Sequence, residues 1–303
     1  MAHTIAHEED GLARTPRPSS TGNESKSLGP AVEFRNVHFS FNDEKVLDDV
    51  SFTVMSGEIK IILSGSGGGK STILKLILGL FKPDEGQVLI DNEDITNYDE
   101  SQLNLVRDKI GMVFQEGALF DSLSVYDNVA YRLHEERVPE EDVEREVRLL
   151  LRFVNLENET DKLPNELSGG MQKRVGIARA LAGNPKIVLF DEPTAELDPP
   201  TAATIASLII RLRDLENVAS ILVTHEMDTV RYLTTEYAVV SEKGEVTLEE
   251  EGENFCLNNT KILMLREGRV IFSGTNEEFI QSEDRYIQKF IRGTEIDPNH
   301  MTQ

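Results

Sequence analysis

The sequence predicts an α/β fold, with antiparallel strands before a parallel sheet and a mainly helical segment inserted between the parallel strands. Three short apolar runs predict the parallel strands: 58–63 (EIKIIL), 186–190 (KIVLF) and 219–223 (ASILV). Strands buried on both faces show such continuous runs, whereas half-exposed strands alternate. The run TAATIASLIIRLRDLE, predicted to be a helix, separates the last two strands, and strand–helix–strand alternation is typical of a parallel α/β core.

Strands with one exposed face come first along the chain. Residues 32–41 (VEFRNVHFSF) alternate apolar and polar side chains, residues 46–54 (VLDDVSFTV) follow a polar turn, and residues 87–95 (QVLIDNEDI) follow a turn with proline and glycine. These runs predict an antiparallel β subdomain beside a mixed sheet. Residues 116–167 are predicted to form a helical insert, because residues 139–156 place apolar side chains three and four apart on one face.

Length and composition predict one large domain, at residues 31–293 of the 303. Residues 1–30 are rich in Ser, Pro, Gly and charge and predict a disordered tail, and residues 294–303 are taken as a C-terminal tail. The N-terminus lacks the apolar core of a signal peptide, and no run approaches the ~20 apolar residues that cross a bilayer. The single cysteine, Cys256, excludes an internal disulfide and is typical of a reducing cytoplasm.

An acidic run at 241–260 interrupts the strand pattern near the C-terminus. Val246 and Leu248 alternate with polar residues and predict a hairpin that projects from the sheet. Two interpretations of this insert remain open, a solvated decoration and a docking or regulatory surface. Its glutamates, among which Lys243 is the one basic residue, are Glu242, Glu245, Glu249, Glu250, Glu251 and Glu253.

The formal net charge of −23 restricts the partners. A protein that binds duplex nucleic acid usually has a basic excess that neutralises phosphates, so this charge argues against nucleic acid as a general partner. ATP is also an anion. Any ATP site must therefore overcome the overall charge locally, with backbone N–H groups, a lysine and Mg²⁺.

A glycine-rich loop follows the first apolar strand and has a phosphate-binding pattern. Residues 64–71 (SGSGGGKS) match G-x-x-x-x-G-K-[ST] at the last three positions, whereas Ser64 stands where the pattern has glycine. Glycines let the backbone approach phosphates, and the amides of the loop and of the following helix would surround the anion. Lys70 is expected to reach the β- and γ-phosphates and the Ser71 hydroxyl to bind Mg²⁺. The expected nucleotide contacts here are Gly65, Ser66, Gly67, Gly68, Gly69, Lys70, Ser71 and Thr72.

An acidic pair, Asp191 and Glu192, ends the second apolar strand. Strand ends in open α/β sheets face the ligand crevice. Asp191 is expected to hold Mg²⁺ through water, and Glu192 to position or deprotonate the attacking water. Taken alone, the pair could also be an ordinary helix start.

A second phosphate-binding helix start is predicted at 167–171 (LSGGM), where Ser168, Gly169 and Gly170 precede a helical pattern. The first turn of a helix has free amides and the positive end of the dipole. A serine N-cap without a ligand would give the same pattern. Two such helix starts, about a hundred residues apart, are unusual for an enzyme with a single P-loop.

LSGGM and the order of the preceding motifs resemble the ABC ATPases, over residues 31–240 and again over 261–293. The resemblance implies a P-loop NTPase fold of ABC type that binds ATP and Mg²⁺ and hydrolyses ATP to drive transport. It further implies a head-to-tail pair of chains, with each ATP between one P-loop and the signature motif LSGGM of the other. The pair would lie under an integral membrane permease, at the cytoplasmic face of the inner membrane.

By position, the resemblance assigns roles to four more residues. Phe41 would stack on adenine, Gln115 would touch Mg²⁺ and sense the permease, Asp198 would lie at the dimer interface, and His225 would contact the γ-phosphate. Phe41 could instead be a core residue, and His225 a plain surface residue. Glu196 stands where the family usually has a small residue or glycine, and no role is assigned to it.

Residues 115–125 (QEGALFDSLSV) and 127–130 (DNVA), together with LSGGM followed by KRV, resemble the ATPases of MCE-type lipid transporters, the maintenance-of-lipid-asymmetry class. This narrower resemblance implies phospholipid transport between membranes and an MCE-domain protein reached through the permease. It also places Ala118, Leu119 and Phe120 where a permease helix would dock, although these side chains could pack inward instead.

Three alternative functions compete with this interpretation. A soluble ABC ATPase of DNA repair or translation would have coiled-coil inserts or two cassettes, whereas this chain has one cassette and no heptads. An inactive binding module is disfavoured because Lys70, Asp191, Glu192 and His225 are all present. The strongest alternative is the ATPase of an importer of amino acids, metals or another small solute. Only the residues after Gln115 and the LSGGM variant argue against this alternative.

Overall fold

The structure is a computed structural model that describes residues 29–65, 67–241, 246–250 and 259–293. Almost all of the predicted N-terminal tail and the whole C-terminal tail lie outside these residues. Ser66 also lies outside them, as does most of the acidic run, including Lys243 and Cys256.

An antiparallel sheet of four strands opens the fold, in the order β2-β1-β4-β5. Its strands are β1 (Val32–Phe41), β2 (Glu44–Val54), β4 (Glu85–Ile90) and β5 (Glu93–Asp94). The alternation in the sequence places Val32, Phe34, Val37 and Phe39 of β1 on the buried face. The predicted antiparallel β subdomain is confirmed.

The main sheet has six strands in the order β12-β11-β3-β8-β7-β6. They are β3 (Ile59–Ser64), β6 (Ile110–Val113), β7 (Ile187–Asp191), β8 (Ala219–Thr224), β11 (Thr260–Arg266) and β12 (Arg269–Gly274). Five strands pair in parallel and β12 is antiparallel, so the sheet is mixed as predicted. Every residue of β3 and β8 is buried, which explains why their sequences do not alternate.

The helices in the described ranges are α1 (Lys70–Ile77), α2 (Glu100–Arg107), α3 (Val125–Glu135), α4 (Glu140–Phe153), α5 (Gly169–Leu181), α6 (Pro199–Glu216), α7 (Met227–Thr235), α8 (Asn276–Ile280) and α9 (Arg285–Ile291). Within the predicted helical insert, α3, α4 and a 3₁₀ turn at Pro164–Glu166 are helical, but residues 114–124 form an irregular loop. In the described part of the chain, no helix is long and apolar enough to cross a membrane.

Two apolar cores lie against the two faces of the main sheet. Successive residues of β7 point to opposite faces, so Val188 and Phe190 join one core while Ile187 and Leu189 join the other. The first core is completed by α3 to α7, and the second by α1, α2 and the antiparallel sheet. The carboxyl ends of the central strands emerge between these layers.

The acidic run begins with a hairpin of β9 (Glu236–Val240) and β10 (Val246–Glu250), which form a separate two-stranded sheet. Its root is fixed to α6, because Asp214 accepts a hydrogen bond from the Ala238 amide at 2.8 Å and Arg213 donates to the Glu236 carbonyl at 2.9 Å. The hairpin therefore starts upstream of residue 241, and Thr260 at the far end belongs to β11 of the main sheet.

Replacing residues 243–258 by a short turn is expected to leave the domain folded. The anchoring bonds lie on β9, outside the deletion, and Leu248 is only half-buried against the core. Its loss should cost no more than about 2 kcal/mol, a few degrees in the midpoint of thermal unfolding. The contrasting variant is Arg213→Met, which removes buried hydrogen bonds to Leu233 and Glu236 and should lower the midpoint further. A deletion variant that does not fold would place the segment in the core and contradict both interpretations of the insert.

Candidate ATP site

The parallel register brings the ends of three buried strands together at one edge of the main sheet. Leu63 of β3 pairs with Thr224 of β8, and Asp191 of β7 pairs with Val223 of β8. The glycine-rich loop, the acidic pair and His225 each follow directly after one of these strand ends. Segments far apart in the sequence therefore meet in one crevice, as strand ends do in α/β sheets.

The glycine-rich loop has a shape that fits a phosphate. Gly67 and Gly69 adopt φ angles of 74° and 89°, which favour glycine over other residues. A Cβ on Gly69 would lie 2.7 Å from the Leu47 side chain, so the loop is closely packed against β2. Among the described residues no side chain caps the N-terminus of α1, and its amides are available for an anion.

Lys70 places its ammonium group at the centre of this loop. Its Nζ lies 3.1 Å from the Ser64 carbonyl oxygen, 3.4 Å from the Gly65 carbonyl oxygen and 3.9 Å from Glu192 Oε1. Burial lowers the pKa of Lys70, while the carboxylates of Glu192 and Asp191 raise it. The ammonium group of Lys70 is hydrogen-bonded to two backbone carbonyl groups, and phosphate oxygens could take the place of these acceptors.

Ser64, the departure from the P-loop pattern, is fully buried at the end of β3 and has no left-handed backbone. Its hydroxyl donates to the Gly65 carbonyl at 3.0 Å and lies 3.4 Å from Lys70 Nζ. A Cβ on Gly68 would come within 2.5 Å of this hydroxyl, so Gly68 makes the room that Ser64 needs. Among the extra glycines of the loop, Gly68 is therefore the one that makes room for the serine side chain.

Asp191 and Glu192 stand opposite the loop. Burial and the neighbouring Glu192 carboxylate raise the pKa of Asp191, whereas the nearby Ser71 hydroxyl and the cations Lys70 and Lys75 lower it. Glu192 Oε1 lies 2.9 Å from His225 Nδ1, and Oε2 accepts from the His225 amide at 3.3 Å. The backbone of Glu192 has a φ of 47°, a strained value for this residue type that is maintained by surrounding contacts.

Comparisons with known proteins identify the family of the chain. The ABC transporter family model matches residues 47–195. MlaF of Haemophilus influenzae, the ATP-binding protein of an intermembrane phospholipid transport system, is 34% identical over 268 residues, 88% of this chain and 92% of MlaF. The chain belongs to the ABC transporter ATP-binding family.

The methionine import ATP-binding protein MetN of Corynebacterium jeikeium is 39% identical over 233 residues. These cover 76% of this chain and 63% of MetN, so the chain spans less than two thirds of the length of that relative. Two solved structures share the fold of the ABC cassette. One is cbiO1 from Clostridium perfringens, with a TM-score of 0.70, 29% identity, and 86% and 94% of the two chains covered. The other is the dimeric cassette MJ0796 bound to ADP and Pi, with a TM-score of 0.65, 33% identity, and 80% and 98% covered.

The ABC signature motif lies apart from the P-loop within this chain. Ser168 caps α5 by accepting from the Met171 amide at 3.3 Å, and both Ser168 and Gly169 are exposed. α5 packs on α3, α4, α6 and β6, whereas α1 packs on β3, β4, β7 and β8. One chain therefore presents two separate helix N-termini to solvent.

Three further predicted residues lie at the surface around the site. Phe41 is 56% exposed, with its ring 6.3 Å from that of Phe81, so it is not a core residue. Asp198 caps α6 and bonds to the amide and the hydroxyl of Thr201. Gln115 is exposed and makes no hydrogen bond to the P-loop in the described part of the chain.

The loop after Gln115 is fixed to the signature helix by Arg179, which donates to the Ala118 and Gly117 carbonyls at 2.8 and 2.9 Å. Phe120 is 43% exposed, and its ring lies 4.7 Å from Tyr131 and 5.7 Å from the Arg179 guanidinium. Ala118 is also exposed. Leu119 is half-buried and packs against the core, so the expectation of an outward side chain is met only in part there.

A polar layer that the sequence patterns do not predict lies behind Glu192. The Thr194 hydroxyl lies 2.6 Å from Glu226 and 2.7 Å from Thr229, and the buried Lys173 ammonium bonds to the Ala195 carbonyl. Glu196 has a φ of 64°, which explains why glycine suits that position better. A lysine two residues after LSGGM is a weak signal in sequence, because its partner is a backbone carbonyl on another segment.

Ser64→Gly is expected to leave the dissociation constant for ATP within about tenfold of the wild type, a change below about 1.4 kcal/mol. The serine backbone is unstrained, and Lys70 keeps its two carbonyl partners in the variant. Binding of a fluorescent ATP analogue to the purified chain measures this constant. A gain of more than tenfold would show that Ser64 strains the loop.

The matched control is Gly68→Ala, whose methyl group would meet the Ser64 hydroxyl. It should weaken ATP binding by more than about tenfold alone, and much less in combination with Ser64→Gly, because the clash is then removed. Equal losses in both backgrounds would contradict the Ser64–Gly68 pairing.

Proposed function

We propose that this chain hydrolyses ATP as one half of a head-to-tail pair of copies that powers a membrane permease. The observation that supports hydrolysis is the position of Glu192, with its carboxylate 3.9 Å from Lys70 and 2.9 Å from His225. A carboxylate beside a phosphate-binding lysine can orient a water molecule for attack on the γ-phosphate and accept its proton. His225, beside Glu192, would contact the γ-phosphate.

The other residues would bind and orient the nucleotide. The amides of the glycine-rich loop and of α1 would bind the phosphates, Lys70 would bridge the β- and γ-phosphates, and the exposed Phe41 ring would stack on adenine. Ser71, Asp191 and Gln115 are the residues that would hold Mg²⁺. When bound, Mg²⁺ would neutralise charge on the phosphate oxygens.

Pairing of two copies follows from the separation of the P-loop and the signature motif. Each helix N-terminus offers half of a phosphate site, and the exposed Ser168 and Gly169 would meet ATP held by the P-loop of the second copy. The similarity to MJ0796, whose solved structure is described as dimeric and bound to ADP and Pi, supports this arrangement. Asp198, exposed at the start of α6, would lie at the contact between the copies.

Glu192→Gln is expected to bind ATP with normal affinity but to turn over at least about 100-fold more slowly, because an amide cannot accept the proton of water. The variant should accumulate as an ATP-bound dimer, which size-exclusion chromatography with and without ATP would detect. The control is Glu283→Gln, an exposed glutamate between α8 and α9 that should behave as the wild type. Turnover of Glu192→Gln within about tenfold of the wild type would exclude Glu192 as the base.

The permease would dock beside Gln115, on the surface formed by Phe120 and Tyr131. Two aromatic rings, each 43% exposed, lie together there. Covering such rings stabilises a contact by roughly 1.5–3 kcal/mol for each side chain that becomes fully buried. Arg179 joins this surface to α5, so movement of the signature helix would reach the permease directly.

Phospholipid moved between membranes is the cargo that we propose, with an MCE-domain protein bound through the permease. The similarity to MlaF supports it, since that match runs over 88% of this chain and 92% of MlaF. The second candidate is import of an amino acid or another small solute, which the 39% identity to the methionine import protein MetN favours.

Phe120→Asp is expected to leave ATP binding unchanged while uncoupling the chain from its permease, because a carboxylate replaces an apolar contact. The readout is the amount of permease recovered with the tagged chain, which should fall at least about tenfold. The control is Ile280→Asp, which changes another exposed apolar residue, on α8 rather than on the Phe120–Tyr131 surface. Full recovery of the permease with Phe120→Asp would move the docking surface elsewhere.

Purification of the native complex from its own membranes tests the cargo. Recovery of an MCE-domain protein with phospholipid would support lipid transport. Recovery of a periplasmic amino-acid-binding protein instead would overturn the lipid assignment and favour the second candidate.

A further inference from the structure

Lys173 is a buried cation that has no part in the ATP contacts proposed above. It lies on α5 two residues after LSGGM, is 7% exposed, and donates from Nζ to the carbonyl oxygen of Ala195. Burying an ammonium group is costly unless it is hydrogen-bonded and near opposite charge. Burial lowers the pKa of Lys173, and the carboxylates of Glu196, Glu226 and Glu192 raise it, so acids from two segments act electrostatically on the cation.

A second contact joins the same two segments. Gly170, in the first turn of α5, packs so closely on α6 that a Cβ there would lie 2.4 Å from Thr201 Cγ2. Thr201 is in turn held by Asp198, at 2.7 Å through its hydroxyl and 3.1 Å through its amide. The first turns of α5 thus contact both ends of the segment 195–201, Ala195 through Lys173 and Thr201 through Gly170.

The segment between Glu192 and Asp198 is stiff. The Ala195 amide donates to the Glu192 carbonyl at 3.2 Å, and the Leu197 amide donates to the Thr194 carbonyl at 3.3 Å. The Thr194 hydroxyl is fixed to Glu226 and Thr229. A shift of the Ala195 carbonyl would therefore displace Glu192, only three residues earlier, more readily than it would bend the segment.

Glu196 fits this arrangement. It adopts a left-handed backbone, which is strained for a residue with a side chain, and its carboxylate raises the pKa of the buried Lys173. A glycine at this position would avoid the strain but would remove one of the three acids that favour the charged form of Lys173.

We propose that Lys173 is a positioning residue that ties the phosphate-binding start of α5 to Glu192, so that ATP held at one nucleotide site of the pair controls hydrolysis at the other. The proposal rests on the proposed head-to-tail pairing, in which the signature motif of a chain and its Glu192 serve different ATP molecules. Lys173 touches neither ATP. It acts through the Ala195 backbone.

The test compares Lys173→Met, Lys173→Arg and the control Lys186→Met in the complex purified through the tagged full-length chain. Lys186 is an exposed lysine just before β7 that pairs with Asp91 at 3.0 Å. Lys173→Met should lower kcat at least about tenfold, keep KM for ATP within about threefold, and reduce the Hill coefficient towards 1. Lys173→Arg keeps a cation and donors for Ala195 and should restore kcat to within about threefold, while Lys186→Met should match the wild type.

A kcat for Lys173→Met within about threefold of the wild type, or a Hill coefficient unchanged from that of the wild type, would overturn the proposal. So would failure of Lys173→Arg to restore activity. If Lys173→Met does not fold, Lys173→Gln is measured against the same limits, and failure of both to fold would make Lys173 a core-stability residue and overturn the proposal. The proposed function fails separately, if the wild-type complex itself does not hydrolyse ATP or if Glu192→Gln does not form an ATP-bound dimer.

Discussion

The parallel register of β3, β8 and β7 is the constraint on which the rest of the site depends. These strands are buried along nearly their whole length, and a shift of one residue would turn every side chain to the wrong core. The register fixes where each strand ends, and the chain reaches solvent at those ends as the glycine-rich loop, the acidic pair and His225. Apolar packing below the site therefore sets where these three segments meet.

Local patterns predicted the elements whose surroundings are uniform. β3, β7 and β8 are buried on both faces, and α4 has one apolar face. The spacing of apolar residues in the sequence is therefore enough to predict each of these elements. α2 was not predicted, although the Asp99–Gln102 capping box at its start is a local signal. The burial of Lys60 could not have been predicted from such local patterns. This lysine is buried in β3 against Glu58, 2.7 Å away, a pairing that only the folded chain reveals.

The candidate site also has a part that sequence predicts and a part that it does not. The P-loop, the acidic pair and the signature motif are each a short continuous stretch of sequence, and each could be recognised alone. The contacts among these motifs join residues far apart in sequence: Glu192 and His225 are 33 residues apart, and Lys173 bonds to a backbone carbonyl 22 residues away. A backbone carbonyl has no sequence signature, because every residue has one. The strain at Glu196 was equally hidden, since only the φ angle explains why a glycine would suit its place.

The net charge of −23 poses less of an obstacle to ATP than it first suggests. At physiological salt the field of an exposed charge fades over about 8 Å, so the nearby groups decide the local potential. Near the glycine-rich loop, the cations Lys70 and Lys75 lower the pKa of Asp191, and the carboxylate of Glu192 raises it. Two cations and two acids nearly cancel, and the N-terminus of α1 adds positive potential. Burial and the neighbouring Glu192 carboxylate raise the pKa of Asp191, and a divalent cation held by Asp191 would relieve the repulsion between the two carboxylates. Nucleotide and Mg²⁺ should therefore bind together, each improving the charge balance that the other requires.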